Sequence, residues 1–173
     1  MGSIRKLLDF IYSASAVAAA ICLIAILFLI VIQMVARWTG EVFPGAPDYA
    51  GYAMAAASFL AFASALNKGS HIRVSILLNA LGPRAKWALE VWCFAIGTAV
   101  AWYVTYYIYR MLNFAIKFND VSQGQDATPL WIAQMPLMVG SVVLAIALTD
   151  NLLSLFITGK HRITRDETAA HAE

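Results

Sequence analysis

The sequence predicts an all-α membrane protein with four transmembrane helices, both termini cytoplasmic, and a short interfacial helix between helices 2 and 3. Three observations predict it. Hydrophobic residues make up 61% of the 173 residues, against roughly 45–50% in soluble domains. Charged residues make up 13%, about half the soluble average. The apolar residues also gather into four runs of membrane-crossing length, with basic residues concentrated on one side of them. A soluble fold of this size could not hide so much apolar surface, so lipid is the expected solvent.

Span 1 covers residues 10–36. Arg5 and Lys6 precede it, and its uncharged stretch is well beyond the ~7–15-residue core of a signal peptide. Ala16-Val17-Ala18 imitates a cleavage site, but the apolar run continues past it, so a retained first span is expected. Gln33 and Arg37 lie one helical turn apart at its far end, and Trp38 marks an interface. The loop that follows holds Gly40, Pro44, Gly45 and Pro47.

Span 2 covers residues 49–66, with Asp48 expected to cap its first turn and Gly69 available to end it. Ala53, Ala57, Ala61 and Ala65 recur every four residues. That places a smooth stripe on one helix face, the small-xxx-small pattern that lets another helix come close. The basic stretch 68–86 contains an eleven-residue apolar segment, His71 to Leu81. It is too short to span and fits a helix lying at the interface. Gly82-Pro83 ends it.

Span 3 covers residues 87–109. Lys86 and Glu90 are spaced to pair near one end. Trp102, Tyr103, Tyr106, Tyr107 and Tyr109 form an aromatic belt at the other, and the helix is expected to run on to about Phe118. Thr128-Pro129 reads as an N-cap followed by a first-turn proline. Span 4 covers residues 130–157, anchored by Trp131 and loosened by Pro136. Residues 1–158 thus form one transmembrane domain, and the polar tail 159–173 is expected to be disordered and cytoplasmic.

Charge sets direction. With the N-terminus inside, the cytoplasmic side holds Arg5, Lys6, Lys68, Arg73, Arg84, Lys86, Lys160, Arg162 and Arg165, and the outer side only Arg37, Arg110 and Lys117. The reverse orientation would violate the positive-inside rule in three segments.

Little in the chain speaks for catalysis. His71, His161 and His171 all fall outside the spans, so none can serve as an axial haem ligand within the bundle. No phosphate-cradling glycine loop, HExxH or GxSxG is present, and Cys22 and Cys93 read as packing residues at different depths. No catalytic, cofactor or metal residue is expected, and no nucleic-acid partner. Asp150 is an intramembrane acid, more readily explained by a structural partner than by a transport role. Gln33, Arg37, Glu41 and Asp48 could form an outer polar cluster, either a solvated helix end or a docking point. The basic loop could attract membrane lipids, though a topology signal explains it as well.

The run Asn67-Lys-Gly-Ser-His-Ile-Arg-Val74, following the second of four spans, resembles the small membrane subunit of TRAP (tripartite ATP-independent periplasmic) transporters, the DctQ-like family. The matching residues are Gly69, His71, Ile72, Arg73 and Val74. Arg37 ending span 1, Asp48 before span 2 and the Pro129-Leu-Trp131 opening of span 4 agree with it. Ser75 stands where the family commonly has Asp, and the acidic position before span 2 is Asp48 rather than Glu. The resemblance implies a bacterial inner membrane protein beside a large many-span subunit, which would carry the substrate and sodium sites. A periplasmic substrate-binding protein would deliver an organic acid anion. The small subunit would be part of the fixed scaffold. Two other classes stay open on the sequence: a membrane anchor of a redox or biosynthetic complex, and an autonomous small transporter.

Overall fold

The computed structural model describes residues 2–41, 44–67, 82–124 and 127–158. They form four helices: α1 (Gly2–Thr39), α2 (Ala46–Asn67), α3 (Pro83–Phe118) and α4 (Leu130–Thr158). All four are long and apolar enough to cross a membrane. Helix is what lipid demands, because each segment must satisfy its own backbone hydrogen bonds there. The interfacial segment 71–81, the motif residues Gly69 to Val74 and the tail 159–173 lie outside the described residues.

The helix ends follow local rules. α1 stops at Gly40, whose φ of 80° is left-handed, and Glu41 N–H donates back to Ala36 O at 2.9 Å. α3 stops at Asn119, also left-handed at φ 50°. There the Asp120 N–H reaches Ala115 O at 3.0 Å and the Asn119 N–H reaches Ile116 O at 3.4 Å. These are helix C-caps that satisfy orphan carbonyls, and Asn tolerates the left-handed turn nearly as glycine does.

Two helices are capped otherwise than expected. α2 begins at Ala46, so Asp48 falls inside its first turn and does not precede it. Gly45, left-handed at φ 76°, supplies the carbonyl that accepts from the Asp48 and Tyr49 N–H groups, so no side-chain cap is needed. α4 begins at Leu130. Pro129 stays outside, paired in an antiparallel bridge with Val121. Pro136 does not interrupt α4, which is continuous across it.

The helices pack as a row. α1 lies on α2, α2 on α4 and α4 on α3, with only slight contact between α1 and α4. α2 and α4 are therefore the inner pair, and α1 and α3 the outer ones. The core joins Tyr12 of α1, Ala63 and Leu66 of α2, and Val143 and Ala147 of α4. α3 contributes a seam of Ala101, Thr105, Ile108, Leu112 and Ala115, whose four-three spacing is that of a helix held along one stripe.

Candidate functional site

Two places combine specific geometry with polar groups: the loop end of the bundle and the α2–α4 interface. At the loop end, residues 119–130 close on themselves. The Ser122 N–H donates to Thr128 O at 2.7 Å, and the Leu130 N–H donates to Asp120 O at 3.0 Å. The first turns of α2 clamp this loop. Tyr52 donates its hydroxyl to Ser122 Oγ, which also accepts the Gly124 N–H at 3.1 Å. Tyr49 and Thr128 share a hydroxyl–hydroxyl bond at 3.1 Å, so Thr128 serves this clamp and not the expected N-cap. Ala127, beside it, holds a left-handed φ of 45°. The half-buried Asp48 turns its carboxylate against Gly124, where any added Cβ would collide with it.

The polar residues singled out from the sequence sit as follows. Gln33 is half-buried on α1, while Arg37 and Glu41 are exposed at the end of that helix. Asp48 instead faces the α3–α4 loop. Pro129 bridges Val121, and Trp131 is exposed in the first turn of α4. Asp150 is half-buried near the opposite end of α4. Of the residues that assemble the loop end, Tyr49, Tyr52, Ser122 and Gly124 escaped sequence reasoning, and Thr128 was read as a cap. A glycine and two hydroxyl residues in a polar loop were the only signal.

The inner seam is built from small residues. On α2, Ala57 is buried, and Ala53, Ala61 and Ala65 are half-buried. Ala56 and Ala63 are buried too, so burial on α2 extends beyond one every-fourth-residue stripe. The closest approach is at Gly140 of α4. A Cβ there would lie 2.5 Å from the Phe59 carbonyl carbon and 2.6 Å from its oxygen. Backbone thus rests directly on backbone, the contact that small residues allow in lipid. Polar groups tie the same interfaces. Ser15 Oγ donates to Leu60 O at 2.5 Å between α1 and α2. Fully buried Asn151 donates to Asn67 Oδ1 at 3.2 Å and to Ala147 O at 2.8 Å. Trp102 of α3 donates to Thr149 of α4 at 3.2 Å.

The outer faces differ in kind. From Ile21 to Trp38, α1 exposes Leu23, Ile24, Leu27, Phe28 and Val31 among other large apolar side chains. α3 exposes aromatics, including Trp92, Tyr103, Tyr106 and Tyr107. Among the described residues, no group of three or more His, Cys, Asp or Glu side chains is placed to hold a metal ion. Cys22 and Cys93 are free thiols.

This architecture offers packing faces and a rigid loop end. The model of the family "Tripartite ATP-independent periplasmic transporters, DctQ component" matches residues 26–158. A search of curated proteins returned no match. The family match spans the last third of α1 and all of α2, α3 and α4, so the chain belongs to the DctQ family, the small membrane component of TRAP transporters.

Proposed function

We propose that the chain is the stationary scaffold subunit of a sodium-coupled TRAP transporter in a bacterial inner membrane, with both termini cytoplasmic. A large membrane subunit would carry the sodium ions and an organic acid anion, and a periplasmic substrate-binding protein would deliver the anion. This small subunit would hold the stationary part of its partner in the bilayer.

The observation that carries the reading is the row of helices. Small residues and backbone contacts lock α2 to α4, while α1 and α3 leave long apolar faces uncovered. A rigid inner pair with two apolar flanks supplies fixed geometry and hydrophobic bulk to a neighbour. The nine-to-three charge distribution supports the orientation. The Ala53, Ala57, Ala61 and Ala65 stripe belongs to the same proposal as a close-packing face.

Reconstitution tests it. Proteoliposomes holding the chain alone are expected to take up no organic anion under a sodium gradient. Adding a large TRAP subunit and a binding protein is expected to restore uptake. Sodium-driven uptake by the chain alone would refute the scaffold role. A Soret band in the purified protein would favour a redox anchor instead.

A further inference from the structure

The outward stripe of α3 at the loop end carries chemistry that scaffolding does not use. Tyr103, Tyr107, Arg110, Phe114 and Lys117 recur at four-three spacing, with Phe118 beside the last. Residues spaced this way share one helix face. All six are exposed. The buried seam, Ala101 to Ala115, lies at positions shifted by two residues, which puts it on the opposite side of the helix.

The stripe is ordered by its own contacts. The Tyr103 and Tyr107 rings lie 4.7 Å apart. The Phe114 and Phe118 rings stack at 6.0 Å, 7° from parallel. The Arg110 guanidinium sits 5.9 Å from the Phe114 centroid, and Lys117 Nζ sits 5.9 Å from that of Phe118. These cation–π contacts hold the two charges against the helix, yet all the N–H donors of both remain without a hydrogen bond or ion pair among the described residues. No Asp or Glu occurs between Glu90 and Asp120, so Asp120, three residues past Lys117, is the nearest acid along the chain.

Depth narrows the ligand. Trp87, edge-on to Phe156 at 6.1 Å, is an interfacial residue type at the opposite end of α3. At ~1.5 Å per residue, Arg110 lies about 35 Å along the axis from Trp87, and Lys117 about 45 Å. With an ordinary tilt these values bracket the far headgroup layer of a bilayer ~40–45 Å thick overall. At that depth two cations with free donors would meet lipid phosphates, and Tyr103 and Tyr107 the glycerol and upper acyl region.

We propose that this stripe of α3 is a binding site for an anionic phospholipid in the leaflet at the loop end, with Arg110 and Lys117 as the phosphate-binding residues and Tyr103 and Tyr107 as the bed for its upper acyl chains. The site is independent of transport, since it requires only that α3 span the bilayer.

The test is competition between phosphatidylglycerol and phosphatidylcholine of identical acyl chains, read by native mass spectrometry on the full-length protein. Preference for phosphatidylglycerol is expected, falling roughly fivefold for each cation removed in Arg110→Gln and Lys117→Gln. The conservative double variant R110K/K117R is expected to keep it. So is R84Q/K86Q, which alters the basic pair at the other end of α3. Equal binding of the two lipids would overturn the proposal. So would a preference that survives R110Q/K117Q, or one that disappears only in R84Q/K86Q. Thermal unfolding of each variant in phosphatidylcholine provides the folding control: R110Q/K117Q is expected to match the parent there and to lose only the added shift from phosphatidylglycerol.

Discussion

The inner helices α2 and α4 and the outer helices α1 and α3 solve opposite problems. α1 is the most apolar of the four, yet far less of it is covered than of α2 or α4. α2 is among the least apolar, and it packs on both of its neighbours. In water the most hydrophobic helix would take the centre. In lipid, hydrophobicity gives no preference for protein over solvent, so close packing and interhelical hydrogen bonds decide the order. The inner pair has alanines, Gly140 and the Asn67–Asn151 bond. The outer pair has bulky aliphatic and aromatic side chains directed away from the bundle.

Substitutions that invert this division should have the largest effects. Gly140→Ala forces a methyl group into the Phe59 backbone and is expected to cost about 3 kcal/mol by overpacking, visible as a large drop in the thermal midpoint in mild detergent. Ala57→Leu enlarges a buried position of α2 and is expected to cost about 2 kcal/mol. A fully stable, fully assembling Ala57→Leu protein would remove that stripe from the packing account. Asn151→Leu removes the polar tie between α2 and α4. A loss of about 1 kcal/mol is expected, the usual scale of interhelical hydrogen bonds in membranes.

The loop end sharpens the comparison, because there a side chain and not a helix meets a glycine. Gly124→Ala is expected to cost on the order of 1 kcal/mol through its collision with the Asp48 carboxylate. Asp48→Ala should relieve most of that loss, so the double variant is expected to be more stable than the sum of the singles predicts. Strict additivity in unfolding measurements would show that the two residues do not touch. The smallest effect belongs to the outer face. Leu27→Ala, at a residue 61% exposed, is expected to change stability by less than about 0.5 kcal/mol in the isolated protein.

Much of the fold was legible for one reason: a bilayer leaves a spanning segment little choice but helix. The four apolar runs therefore located the four helices, and the extension of α3 to Phe118 followed from its continuing pattern. Helix starts were harder to read. Asp48 and Thr128 look like caps by residue type, but each lies within reach of the other loop, and tertiary contacts claimed them. Family membership was legible through the Asn67–Val74 run and its position after span 2, and the family match over residues 26–158 establishes it. The expected gathering of Gln33, Arg37, Glu41 and Asp48 rested only on their shared end of the bundle.

The residues alone were enough for the four membrane-crossing helices among the described residues, their solvent and the family, because these depend on composition, run length and local spacing. Only the tertiary structure decided that α2 and α4 lie inside, that Gly140 rests on the Phe59 backbone, and that Asp48 faces Gly124. Those outcomes depend on the fit between surfaces far apart in the chain. Where lipid and protein are equally apolar, shape and hydrogen bonding choose the neighbours, and neither can be read along a single helix.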